Sequence, residues 1–182
     1  MIGFLKKWWD VILLLIFLVV FLLMRFYFYP WFTVRQTSML ETLHNGDVVV
    51  VSRMYSMHKD FQRGDIIVFY LRDKKDGEGE YLVKRIIGLP GETVEIHNGV
   101  VYINGHAIKE PYVVHKDSSN FGPYTVPPGK LFVLGDNRPA SRDSRFFGAI
   151  DESSVVGRVV LRIYPFSDIT VFHRVTYGSN AG

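Results

Sequence analysis

Zero cysteines and six histidines set the first bounds on the chemistry open to this chain of 182 residues. Without cysteine there is no thiol nucleophile, no disulfide framework and no thiolate zinc site. The histidines, His44, His58, His97, His106, His115 and His173, form no HxxxH pair, lack a companion acid at metal-ligand spacing and accompany no GxSxG elbow. A histidine-based hydrolase is therefore not signalled. Lys84 is more informative. In the alternating run from Tyr81 to Ile87 it shares a face with Leu82 and Ile86, while Arg85 shares the other with Val83 and Ile87. One of the two cations must face a largely apolar surface. A lysine held there loses charge stabilisation, its pKa falls, and it becomes able to accept a proton near neutral pH. On pattern alone, a lysine snorkelling at a sheet edge accounts for the same spacing.

The elements that must position such a residue read as strands. Short β-branched runs recur at Asp47 to Ser52, Asp65 to Tyr70, Tyr81 to Ile87, Thr93 to Ile96, Val100 to Ile103, Lys130 to Leu134 and Val155 to Tyr164. Asn98-Gly99 carries the signal of a tight hairpin, and Arg72 to Glu80 reads as a solvated charged loop between two strands. No segment of this region shows a convincing helical period, and His106 to Gly129, with four prolines, reads as one long polar connection. The expected fold class is all-β.

Ahead of the strands lies a different composition. Val11 to Met24 is fourteen residues without a charge, flanked by Trp8 and Trp9 on one side and by Tyr27, Tyr29 and Trp31 on the other. The aromatic belts extend the apolar run to a membrane-spanning length, with Arg25 snorkelling toward headgroups. A cleaved leader or a buried core helix would also be apolar, but bulky aromatics follow the run where a cleavage site needs small residues. Lys6 and Lys7 precede the run with no acid before Asp10, so the positive-inside rule puts the N-terminus in the cytoplasm and everything after Phe32 outside. The expected division is a cytoplasmic N-terminus over 1–7, a membrane anchor over 8–32 and an extracytoplasmic domain over 33–182. Twenty-one Lys and Arg against 18 Asp and Glu, with no basic stripe, exclude a nucleic-acid partner.

Five segments occur in order: Thr37-Ser38-Met39; Asn45-Gly46-Asp47-Val48; Arg63-Gly64-Asp65-Ile66-Ile67-Val68-Phe69; Val83-Lys84-Arg85-Ile86-Ile87-Gly88-Leu89-Pro90-Gly91-Glu92; and Gly135-Asp136-Asn137-Arg138 with Ser141, Asp143-Ser144-Arg145 and Gly148 following. Together they resemble the type I signal peptidases, membrane-anchored Ser/Lys proteases, and most of all the short single-anchor form common in Gram-positive bacteria. The resemblance implies partly barrel-like antiparallel sheets behind one transmembrane helix. It implies Ser38 as nucleophile, Lys84 as general base, Ser141 orienting the lysine amine, and Asp136, Asp143 and Arg145 forming an ion-pair network that fixes their loop. Exported preproteins with signal peptides are the implied substrates, bound as an added strand with small residues at the first and third positions before the scissile bond, and no metal or organic cofactor is needed.

Three positions depart from the family pattern. Gln36 stands where glycine or serine is usual, Glu41 where proline is usual and Ala140 where asparagine is common. The backbone N–H of Ser38 is expected to supply one oxyanion donor and the side-chain amide of Gln36 another. A carboxylate at position 41, if it approached Lys84, would favour the charged amine and oppose general-base action. Two rival readings follow: a self-cleaving repressor, disfavoured by the anchor and the lack of a helix-turn-helix segment, and a catalytically silent relative acting as a membrane-tethered binding or assembly factor.

Overall fold

The computed structural model describes residues 2–72, 78–175 and 177. It opens with helix α1, Ile2–Phe28, within which Trp8–Phe28 is long and apolar enough to cross a membrane and has no residue buried inside the fold. Pro30 lacks an N–H and disfavours helix in the residue before it, so the helix stops ahead of it. Arg25 reaches past that end to donate to the Tyr29 carbonyl at 3.4 Å. Trp31–Thr33 forms strand β1, antiparallel to β2, Val48–Ser52, with Trp31 opposite Val50.

After β2 the chain makes the short helix α2, Arg53–His58, then β3, Ile66–Arg72, and β4, Gly79–Gly88. The hairpin β5–β6, Thr93–His97 and Val100–Ile103, turns at Asn98 and Gly99, whose φ values of 48° and 75° give the two left-handed residues that a tight hairpin requires. There follow β7, His106–Ala107; β8, Phe121–Thr125; β9, Lys130–Leu134; α3, Ser144–Phe147; β10, Ile150–Asp151; β11, Val155–Tyr164; and β12, Thr170–Val171. All described pairings are antiparallel, in an eight-stranded sheet ordered β1-β2-β11-β3-β4-β9-β10, with β12 also on β11, and a four-stranded sheet ordered β7-β6-β5-β8.

The all-β expectation holds for the domain, with two local corrections. His106 to Gly129 is not one loop. It contains β7 and β8, and it buries Val113 and Val126. Strand β8 was illegible because Gly122 and Pro123 interrupt it, which an edge strand tolerates. The helices α2 and α3, six and four residues long, are too short for a helical period to register. Residues 73–77 of the expected charged loop lie outside the described residues.

Strand β4 sits between β3 and β9 and is buried from Lys84 to Gly88. Leu82 and Ile86 pack with Ile67 and Phe69, while Val83 lies against the cluster of Val34, Met39, Ile66 and Val68. Ile87 joins Phe132 and Leu134 of β9 to Val94 and Ile96 of the small sheet, so β4 also ties the two sheets together. A Cβ added at Gly88 would lie 2.6 Å from Val94 Cγ2 and 3.0 Å from Phe132 Cβ. Gly88→Val is expected to overpack this junction and destabilise the domain by about 1–3 kcal/mol, read as a lower thermal midpoint of the detergent-solubilised chain.

Candidate active site

Ser38 begins the turn between β1 and β2. Leu43 N donates to Met39 O at 2.7 Å, and both side chains are buried, so the turn is pinned to the core immediately after the serine. From the other side, the chain segment after β9 grips the serine's backbone: Asn137 N donates to Ser38 O at 3.0 Å, and Asn137 Nδ2 donates to Thr37 O at 3.1 Å. Gly135 is required by this close approach, since a Cβ there would lie 2.2 Å from Ser141 Oγ and 2.6 Å from Ser38 O.

Lys84 lies opposite Ile67 in the β3–β4 ladder and is 1% exposed. Its Nζ is 2.6 Å from Ser38 Oγ and donates to Val83 O at 3.1 Å. Burial pulls the amine pKa down to about 8, against the weaker opposing pull of Asp143, Glu80 and Asp136. Ser38 Oγ and Lys84 Nζ thus form a buried hydroxyl–amine pair with the separation that direct proton transfer requires.

The expectation that one cation of Lys84-Arg85 faces apolar surface is exceeded, because both are buried. Arg85 cannot shed its proton, so it is paired: Nε and Nη2 donate to the two carboxylate oxygens of Asp136 at 2.9 and 2.6 Å. Thr42 Oγ1 donates to the same carboxylate at 2.5 Å, tying the serine turn to the pair. This corrects the expected single network. Asp136 partners Arg85, whereas Asp143 and Arg145 pair with each other, Arg145 Nε donating to Asp143 Oδ1 at 2.9 Å and Nη1 to Asp117 Oδ2 at 2.6 Å. The expected bond from Ser141 to the lysine amine is not formed. Ser141 Oγ is buried without a hydrogen-bond partner among the described residues, while the amine turns to Ser38 and Val83.

Sequence reasoning missed Arg85, Thr42, Asn137 and the Arg138–Glu110 pair, in which Arg138 donates at 3.0 and 2.5 Å. Arg85 had a signal: a guanidinium alternating with Val83 and Ile87 in a central strand demands a carboxylate. The others depend on contacts about 30 to 100 residues apart and had none.

Two clefts open at Ser38. One of about 580 Å³ is lined by Phe32, Val34, Gln36, Met39, Val68 and Val83 among others; the second, about 310 Å³, is bordered by Gln36, Leu82, Lys84, Glu80, Arg35 and Arg142. Gln36 is half-buried at the shared rim, with no hydrogen-bond partner among the described residues. Ala140 lines the smaller cleft. Glu41 is exposed and turned toward histidines, 3.1 Å from His115 Nε2 and 3.7 Å from His44 Nε2; the His115 hydrogen bond holds its carboxyl below the usual range. It is not among the groups that act on Lys84.

A model of the family described as signal peptidase, peptidase S26, matches residues 5–164. The chain is 38% identical over 169 residues to "Probable signal peptidase I-1" of Synechocystis, covering 90% of this chain and 85% of that one. It is 38% identical to signal peptidase I of Bacillus licheniformis, covering 81% and 83%. With signal peptidase IB of Staphylococcus aureus the identity is 35%, over 88% and 90%.

The buried pair makes its own prediction. Asp136→Asn leaves Arg85 charged and half-partnered, and is expected to cost about 3–5 kcal/mol in chemical denaturation. Replacing Arg85 and Asp136 together by methionine and leucine should cost clearly less than the sum of the single changes.

Proposed function

Because the chain belongs to the signal peptidase family, peptidase S26, and is a peptide hydrolase of the type I signal peptidase class, we propose that it removes N-terminal signal peptides from exported preproteins with a Ser38/Lys84 dyad. The observation that carries this reading is the 2.6 Å approach of a desolvated lysine amine to a serine hydroxyl.

In the neutral amine, one N–H donates to Val83 O, which leaves the lone pair to face Ser38 Oγ. As Oγ attacks the carbonyl carbon at the cleavage site, its proton passes to Nζ. The oxyanion is met by the Ser38 backbone N–H and by the Gln36 amide from the cleft rim. The ammonium then protonates the departing amine of the mature chain, leaving an ester on Ser38. Lys84 next takes a proton from water as its oxygen attacks the ester carbon; the Ser38 Oγ–acyl bond breaks, the leader is released with a new C-terminal carboxyl, and Nζ returns its proton to Oγ. Asp143–Arg145 and Asp136–Arg85 act as support. They hold the loop from Gly135, and through Asn137 the carbonyl side of Ser38. Ser141 supports by packing against Gly135 rather than by a bond to the amine.

The silent-relative reading drew on Gln36 and Glu41, and the His115 and His44 contacts weigh against its Glu41 part by directing that carboxylate elsewhere. Helix α1 acts as a membrane anchor in this proposal, with the N-terminus cytoplasmic and the strand domain on the outer face. Only residues 29–37, including the short β1, separate the helix from Ser38, so the scissile bond would be cut close to the bilayer surface.

Cleavage of a purified precursor is expected to rise with pH through about 8, because the neutral amine accumulates tenfold per unit below its pKa. Ser38→Ala and Lys84→Arg should each lower kcat/KM by at least about a thousandfold, and the double variant Ser38→Ala, Lys84→Ala should lose little more than either alanine change. Near wild-type cleavage by Lys84→Arg, which keeps the charge but cannot release a proton, would overturn the general-base assignment. For topology, protease added to intact spheroplasts should digest the strand domain; protection until lysis would reverse the orientation.

A further inference from the structure

The family match ends at Tyr164, yet the described residues beyond it, 165–175 and 177, are woven into the domain and reach the back of the site. Strand β12 adds to β11 with Thr170 opposite Arg162, and Phe172 packs on the Val34–Met39–Leu43 cluster while its N–H donates to Val160 O at 3.0 Å. Arg174 Nη2 donates to Asp60 Oδ2 at 2.6 Å, and its Nε lies 3.5 Å from the buried carboxylate of Asp65. Tyr177 then arrives at two of the groups that hold Arg85, Gly64 and Tyr112. Its ring covers Gly64, where an added Cβ would lie 2.9 Å from Tyr177 Cε2. Gly64 O accepts from Arg85 Nη1 at 2.7 Å, and Gly64 N donates to Ile86 O at 2.8 Å. The Tyr177 hydroxyl is 2.7 Å from that of Tyr112, whose ring lies 3.8 Å below the Arg85 guanidinium.

Hydrogen-bond direction extends the chain of contacts. Tyr112 donates to Glu110 Oε1 at 3.0 Å, so its oxygen is left to accept from Tyr177. Glu110 pairs with Arg138, and Arg138 Nε donates to Gly135 O at 3.1 Å. Tyr177 therefore touches the supports of both β4 and the loop that grips Ser38.

We propose that Thr170 to Val175 together with Tyr177 form a positioning strap for the active site, in which Tyr177 clamps Gly64 and Tyr112 around Arg85 and so keeps Lys84 dry and aligned on Ser38. The proposal rests on the Ser38/Lys84 reading above. Tyr177 is a positioning residue, since it touches neither member of the dyad. Lys84 feels Asp143, Glu80 and Asp136, and shares its cleft with Arg35 and Arg142. Loosening β4 against the Gly135 loop lets water reach the amine, and a better solvated amine holds its proton to higher pH.

The test uses the detergent-solubilised full chain and one purified precursor, with kcat and KM measured across pH for Tyr177→Ala, Tyr177→Phe and, on the exposed part of the same segment, His173→Ala. Tyr177→Ala is expected to move the pH midpoint of kcat upward by about half to one unit, a three- to tenfold loss at neutral pH that disappears at high pH, with KM within about twofold. Tyr177→Phe keeps the ring on Gly64 but loses the bond to Tyr112, and should shift the midpoint upward by less than Tyr177→Ala does, while His173→Ala should stay within about twofold of wild type. An unmoved midpoint in Tyr177→Ala, or a loss that is the same at every pH and tracks the folded fraction by circular dichroism, would overturn the strap. Lys84→Arg is run alongside. If it cleaves, the dyad reading fails, and the strap is then judged on amide hydrogen exchange in residues 79–88, which must rise in Tyr177→Ala for the strap to stand.

Discussion

The desolvation of one ammonium group is the constraint on which the rest of the structure depends. A lysine amine in water stays charged at neutral pH and makes a poor base, and burial is what brings it into range. Burial alone is insufficient, because any carboxylate in contact would restore the charge. The acids whose charge opposes the desolvation of Lys84 are Asp136, Asp143 and Glu80. The first two are each held by an arginine, Arg85 and Arg145. The arginines thus do two jobs: they fix the loop, and they occupy carboxylates that would otherwise draw a proton onto the amine. In the buried centre Lys84 is left with hydroxyl and carbonyl oxygens as partners, Ser38 Oγ and Val83 O.

Adjacent residues of one strand therefore meet burial in opposite ways. Lys84 can lose its proton, and its side of β4 offers a hydroxyl. Arg85 cannot, and its side offers a bidentate carboxylate, a glycine carbonyl and an aromatic face. Thr42 joins the two sides. It belongs to the turn that carries Ser38, and it donates to the carboxylate that holds Arg85. A change that disturbs the arginine pair therefore moves the serine turn as well.

Much of this was legible in the sequence, and the reasons are local. Strand alternation around Lys84 and Arg85 and the Asn98-Gly99 turn are properties of neighbouring residues, and they gave the central strand and the hairpin. The order of the Ser38, Lys84 and Gly135-to-Gly148 segments pointed to the residues that converge. What stayed hidden depends on pairing across distance. Which carboxylate each arginine takes follows from the placement of β9 beside β4, so the sequence could group Asp136, Asp143 and Arg145 without separating them. The Ser141 bond failed for a similar reason: the hydroxyl is near enough to crowd Gly135, but the amine has closer acceptors. Strand β8 was masked by its own glycine and proline, and β1 by the aromatic run of the apolar segment.

Register makes the arrangement unforgiving. Lys84 lies opposite Ile67 and Arg85 opposite Ile66 in the β3 ladder, and on the other edge Arg85 lies opposite Leu134, one residue before the loop that supplies Asp136. A slip of β4 by one residue would exchange the two cations between faces. It would point a guanidinium that never deprotonates at Ser38 and leave Asp136 facing a lysine. The ladder resists that slip through seven paired residues with β3 and through the irregularity between Ile86 and Gly88 on the β9 side, where only glycine fits against Val94 and Phe132. The same glycine that joins the two sheets therefore fixes which of two neighbouring cations reaches the serine.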